Sequence, residues 1–146
     1  MPAPVSTRRR LSFAIAIFSI LGIAVSSFSL YHHSSKSETS FCRFGESFNC
    51  DLVNRSTYSI ILGVPVALIG ILGYLLTLAL ATIYRNKAET PALLLVICSA
   101  GLGFSLYLTY VEGFVLRAWC ILCLSSLALI FSDTVLTLLL VRSRRP

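Results

Sequence analysis

Long apolar runs separated by short polar connections dominate this chain: Leu11 to Tyr31, Tyr58 to Tyr84, Pro91 to Val111, and Val115 to Val141. Each holds roughly 20 or more residues, enough to carry a helix across a hydrocarbon layer about 30 Å thick at about 1.5 Å per residue. The pattern predicts an all-α membrane protein, a four-transmembrane-helix bundle in a single integral-membrane domain over residues 1–146. Residues 32–57 form the one long polar connection and are expected to cap the outer end. The basic start and first apolar run also fit a cleavable signal peptide or, more weakly, a twin-arginine export signal. The run is too long for the former, and no Ala-x-Ala follows it, so a retained helix is the reading adopted.

Inside the runs, small residues mark close approaches. Gly63, Ala67 and Gly70 fall on one helix face with Tyr74 a turn further on, the arrangement that lets membrane helices meet. Pro65 either starts the buried helix or kinks it. Glu112-Gly113 reads as a tight turn between the third and fourth runs. In the polar connection, Phe41, Phe44, Phe48 and Leu52 recur at helical spacing, which suggests a segment lying flat on the bilayer with its aromatic face down.

Composition agrees with a membrane protein. Of 146 residues, 56% are hydrophobic and 12% charged, against about 25% charged in soluble domains. The net charge of +6 does not indicate nucleic acid, because the basic residues sit at the ends of apolar runs. With four spans, one side carries Arg8, Arg9, Arg10, Arg85, Lys87, Arg142, Arg144 and Arg145. The other carries Lys36, Arg43, Arg55 and Arg117. The positive-inside rule then makes the termini cytoplasmic. Cys42, Cys50, Cys120 and Cys123 gather on the outer face, where disulfides persist.

The candidate chemistry lies in those cysteines. Cys120 and Cys123 form a Cys-x-x-Cys at the start of the fourth run, preceded by Trp119. At a helix N-terminus the two lie about one turn apart, roughly 5–6 Å between Cα atoms, within disulfide reach. The helix dipole there favours thiolate. Alone, the spacing also serves zinc and haem sites, but Leu124 stands where haem attachment needs His. Cys42 and Cys50, eight apart, would be about 12 Å apart in one helix, so a bridge between them needs a break, with Gly45 the natural place. A site using all four as zinc thiolates is weighed and set aside for the compartment and the loop spacing. Cys98 reads as a small buried apolar residue. Asp133, an acid well inside a span, lies about 80° around the helix from Cys123 and is expected to pair with a neighbouring hydroxyl or Arg. His32 and His33 read as interfacial residues, and the glycosylation pattern at Asn54-Arg55-Ser56 is ignored.

Three stretches together resemble the vitamin K epoxide reductase family, in a bacterial form, over roughly Leu11 to Leu140. They are Cys42-x7-Cys50-Asp-Leu-Val-x-x-Ser56-x-Tyr58-Ser, Gly63-Val-Pro65-Val-Ala67-x-x-Gly70-x-x-x-Tyr74, and Trp119-Cys-x-x-Cys123. The resemblance implies four helices around a quinone, ubiquinone or menaquinone, and a relay of electrons through both cysteine pairs. By that likeness Cys42 meets the thiol of a thioredoxin-fold dithiol partner, Cys50 passes electrons to Cys120, and Cys123 faces the quinone. Ser56 and Tyr58 match positions near the loop–helix junction. Vertebrate members hold the ligand with an Asn in the second helix and a Tyr one turn after the Cys-x-x-Cys. Val66 and Leu127 stand there in this chain, which points to a plainer quinone than vitamin K epoxide. No fused thioredoxin-like domain follows, so the partner is expected to be a separate protein. The implied setting is a bacterial inner or plasma membrane, and the implied outcome is disulfide formation outside it. The competing class is a non-enzymatic membrane subunit or transporter with structural disulfides. It predicts cysteines that stay oxidised and no dependence on quinone.

Overall fold

A computed structural model describes residues 3–34 and 48–145. Helix α1 runs over Val5–Ser34 and is longer at both ends than its apolar stretch. The Pro4 carbonyl accepts the first N–H groups of the helix, from Thr7 and Arg8, and the arginines that follow are good helix formers. Residues 35–47 of the cap loop lie outside the described residues, and with them Cys42, Phe41, Phe44 and the break expected at Gly45. Its last part holds a short helix, α2 (Cys50–Asn54), and a 3-10 turn over Thr57–Ser59.

The second run departs from expectation. Its helix, α3, spans Val66–Thr82 and does not begin at Tyr58. Before it lies a small antiparallel hairpin of β1 (Ile60–Ile61) and β2 (Val64–Pro65), in which Ile61 faces Val64. The two-residue loop between them, Leu62-Gly63, has both φ angles positive, 53° and 80°, as a type I′ turn requires. Pro65, with no N–H and φ of −60°, is suited to the helix boundary it occupies. Gly63 therefore turns the chain and does not join Ala67 and Gly70 on a helix face.

Helix α4 covers Thr90–Tyr110 with Pro91 in its first turn, where a missing N–H costs nothing. It continues as a π-helical turn over Val111–Leu116, which Arg117 stops in the left-handed conformation at φ 51°. The tight turn expected at Glu112-Gly113 is thus a widened helical one. Helix α5 spans Ile121–Arg144, with Cys120 at its N-cap.

α1 packs along both α3 and α5, α4 packs along α5, and the α3–α4 contact is the loosest side. Burial is inverted relative to a soluble bundle. Ser12, Ser19, Ser26, Thr77, Thr137 and Asp133 are buried, while Phe13, Leu72, Val96 and Phe131 face outward. Such a surface suits a hydrocarbon solvent, in which polar groups must be satisfied internally. By length and composition α1, α4 with its π-helical extension, and α5 can each cross a membrane, whereas α3 has 17 residues and is shorter.

The two ends of the bundle differ. At one, the Ala3 N–H donates to the Ser143 carbonyl at 3.0 Å, and the Arg144 guanidinium donates to the carbonyls of Lys87 (3.1 Å) and Arg85. Both chain ends and the α3–α4 turn thus meet there, as a four-span topology demands. At the other end Cys50, Val53, Ala118, Cys120 and Leu122 form a buried cluster.

Asp133 and Cys98 sit in the interior as expected. Asp133 accepts a hydrogen bond from Ser19 Oγ at 3.2 Å, and Cys98 is fully buried, packing with Tyr74 and Ile130. The α1–α3 approach depends on Gly22, because a Cβ there would run into the Tyr74 ring. Gly22→Ala should therefore lower stability by roughly 1–3 kcal/mol, read as an earlier thermal unfolding transition in detergent. Combining it with Tyr74→Leu, which removes the obstructing ring, should recover part of that loss.

Candidate functional site

The site is built where α5 begins. Cys120 has extended backbone (φ −110°, ψ 116°) at the N-cap, and Cys123 lies in the first turn of the helix, so both sulfurs stand at the positive end of its dipole. The strand-like residues before the helix are held from the cap loop. Phe48 pairs with Trp119 in a parallel bridge, and the Asn49 N–H donates to the Trp119 carbonyl at 3.0 Å. This contact seats Cys50 in the same buried cluster as Cys120, and Cys123 packs against that cluster. Cys50 is disulfide-bonded, whereas Cys98, Cys120 and Cys123 carry free thiols. The Cys120 thiol is pulled below the usual range, first by a hydrogen bond from the Cys123 thiol and then, against the cost of burial, by backbone N–H groups of Cys123 and Leu122.

A cavity of about 370 Å³ opens beside this pair, between α1, α3, α4 and α5. Cys123 is on its wall and Cys120 is not; Cys120 lies instead in the buried cluster that holds Cys50. The wall is mainly apolar, with a few polar groups converging on it, as small-molecule sites generally have. Ser56, Tyr58 and Val66 all line it. Leu127 does not; it lies on the adjacent face of α5, in a separate apolar groove with Leu102, Leu106 and Phe131. The residue about one turn beyond Cys123 that does reach the cavity is Ser126, and the Tyr74 hydroxyl donates to its carbonyl at 2.9 Å with its Oγ 3.0 Å away.

Two contributors escaped the sequence reading. The sequence places Tyr74 on a packing face and in the second family stretch, without a polar partner, yet its hydroxyl bonds across the interior to α5. Glu112 was seen only as a turn residue. Its side chain is buried at 1% exposure, lines the cavity, and its Oε2 accepts the Cys120 N–H at 3.2 Å. The π-helical turn puts it there, and Gly113 lets the Trp119 ring lie against that turn, since a Cβ would meet the ring at 3.0 Å. His33 is also on the cavity wall, whereas His32 is buried with its ring edge-on to Phe28, 4.4 Å between centroids. Among the described residues no group of three or more His, Cys, Asp or Glu is arranged to hold a metal ion.

The arrangement can do thiol–disulfide exchange on one side and deliver reducing equivalents into an apolar cavity on the other. A family model described as the vitamin K epoxide reductase family matches residues 13–138, which takes in α3, α4, the Cys-x-x-Cys and most of α1 and α5.

The hydrogen bond between the paired sulfurs makes a prediction about ionisation. In reduced protein Cys120 should form thiolate at lower pH than a free cysteine, whose pKa is about 8.5. Cys123→Ala removes the thiol donor and should move that ionisation to higher pH. Cys123→Ser, which keeps a hydroxyl donor, should move it less. Ultraviolet absorbance of the thiolate, followed through a pH titration, measures all three.

Proposed function

The chain belongs to the vitamin K epoxide reductase family, a family of membrane redox enzymes with disulfide chemistry, and from that premise we propose that it passes electrons from an external dithiol protein to a membrane quinone. The observation that carries the reading is the division of labour at the α5 N-terminus. Cys120 shares a buried cluster with Cys50, and Cys123 lines the cavity.

The chemistry follows from the sulfurs. Exchange proceeds by attack of a thiolate on a disulfide sulfur. A thioredoxin-fold partner's thiolate attacks Cys42 of a Cys42–Cys50 disulfide, and Cys50 leaves as thiolate. The partner's second thiol then releases the partner as a disulfide, with both electrons now on the loop pair. Cys50 attacks Cys120 of an oxidised Cys120–Cys123 pair, and Cys123 leaves. Cys42 then closes on Cys50, which restores the loop disulfide and leaves Cys120 and Cys123 as free thiols. A disulfide-bonded Cys50 beside a reduced pair is the product of that step. Net flow in this direction forms disulfides in the partner and its clients.

The cavity suits a quinone ring in size and in its apolar wall. Tyr74 and Ser126, with Ser56 and Tyr58 nearer the loop, are the polar groups that would orient its oxygens. Bound there, a quinone supplies a two-electron, two-proton acceptor. Val66 offers no hydrogen bond, in keeping with a plain ubiquinone or menaquinone. The end that gathers both termini with Arg85, Lys87 and Arg144 is assigned to the cytoplasm by the positive-inside rule, and the cysteine end to the outer face of a bacterial plasma membrane.

The test supplies purified protein with a reduced thioredoxin-fold protein or a small dithiol, together with a soluble quinone, and follows quinone absorbance. Wild type should consume quinone with both donors. Cys123→Ala should fail with both. Cys42→Ala and Cys50→Ala should fail with the protein donor and retain turnover with the small dithiol. Wild type that leaves quinone untouched with either donor would overturn the reading and leave the cysteines structural.

A further inference from the structure

Oxidising a dithiol releases two protons along with two electrons. At this site Cys120 is 0% exposed, and Cys123 is half-buried on the cavity wall. Groups beside the sulfurs are therefore placed to take those protons. Glu112 is the carboxyl group placed there. It approaches from the end of α4, its Oε2 holds the Cys120 N–H, and the Cys123 thiol is within hydrogen-bonding interaction of the same carboxylate. Its Oε1 is buried with no hydrogen-bond partner, and the side chain forms part of the cavity wall. The other ionisable side chains on that wall are His33 from α1, Tyr58 from the loop, Tyr74 from α3 and Cys123 itself. Tyr74 is committed to Ser126. Asp133, the other buried acid, is engaged by Ser19 and does not line the cavity.

We propose that the Glu112 carboxylate carries protons from the Cys120/Cys123 dithiol to the electron acceptor in the cavity. The electrostatics favour this use. The α5 N-terminus stabilises a negative charge nearby, but a carboxylate and a thiolate side by side repel. The site therefore holds one negative charge well, on oxygen or on sulfur. When the carboxylate takes a proton from the Cys123 thiol, the charge moves to sulfur and makes the nucleophile. The carboxylic acid gives its proton to an acceptor oxygen, and as the Cys120 and Cys123 sulfurs join, each having lost its proton, their surplus electron pair passes to the same acceptor. The second thiol proton follows by the same route. The sum is one disulfide formed, two electrons and two protons delivered, and Glu112 returned to carboxylate. Serving as hydrogen-bond acceptor for Cys120 and as proton carrier are compatible, because the Cys120 N–H engages Oε2 and leaves Oε1 without a partner.

This inference rests on the quinone reading, and its test separates the two. The variant is Glu112→Gln, which keeps an oxygen for the Cys120 N–H, with Glu112→Asp as the conservative companion. Thiolate absorbance of the reduced proteins is titrated without any quinone. Removing the carboxylate charge should let the dithiol ionise at lower pH in Glu112→Gln than in wild type. Quinone reduction by the pre-reduced proteins is then measured under single turnover. Despite its readier thiolate, Glu112→Gln should be slower by at least about a hundredfold, the usual contribution of a positioned acid or base, and Glu112→Asp should recover part of the rate. Easier ionisation combined with slower reduction is a pair of opposite shifts that mere structural support would not produce. A Glu112→Gln rate equal to that of wild type would overturn the proton role and leave the quinone reading standing. So would a slow Glu112→Gln whose thiolate titration matches wild type. A wild type that reduces no quinone overturns both.

Discussion

The hydrogen bond from the Cys120 amide to Glu112 is the tie on which the catalytic end depends. α4 could have ended at Tyr110 and left the next residues as a free link. Instead the helix widens, Arg117 breaks it in the left-handed region, and the Ala118 N–H donates to the Glu112 carbonyl while the Cys120 N–H donates to the Glu112 side chain. Both interactions come from one residue, and together they set the angle at which the chain enters α5. The Trp119 backbone is then presented to the cap loop, so the Asn49 N–H can donate to its carbonyl and Cys50 can be seated. A buried, unpaired donor or acceptor costs about 1–3 kcal/mol. The segment therefore has little freedom to re-aim its sulfurs without losing more than it gains.

The same economy of polar groups governs the rest of the bundle. With apolar side chains facing lipid, cohesion comes from close backbone approach and internal hydrogen bonds rather than from burial of oil. Gly22 against Tyr74, Tyr74 against Ser126 and Ser19 against Asp133 join α1 to α3, α3 to α5, and α1 to α5. None of these contacts joins α3 to α4, and that looser side lies beside the cavity.

Legibility in the sequence followed the range of the interaction. The Cys-x-x-Cys was readable because its geometry is local: three residues at a helix start fix one turn. The bundle was readable because hydrocarbon demands long apolar runs whatever their partners. Pairing of Asp133 with a hydroxyl was readable because a buried acid must find a donor. The hairpin at Ile60–Pro65 was not, since Ile-Ile-Leu-Gly-Val-Pro is as apolar as the helix it precedes and only backbone angles distinguish them. Leu127 is the position the family resemblance implies one turn after the Cys-x-x-Cys, but it is Ser126 that reaches the cavity, and one residue is about 100° of arc. Glu112 was invisible for a further reason. Its role depends on a π-helical turn and on Cys120, eight residues away across a chain reversal, and no short-range pattern encodes either.

The shortness of α3 has a consequence for the lipid around it. Seventeen residues make a helix of about 25 Å, less than a typical hydrocarbon thickness of about 30 Å, while its neighbours are longer. The deficit falls on one side of the bundle only, so the annulus of lipid must thin beside α3 or the helix must sit off-centre, at a cost of fractions of a kcal/mol per Å. The hairpin that precedes α3 carries an apolar tip, Leu62, that is 98% exposed. Acyl-chain length thus acts mechanically on the wall that carries Tyr74 and Val66, and the shape of the cavity is set jointly by the protein and by the membrane in which it is embedded.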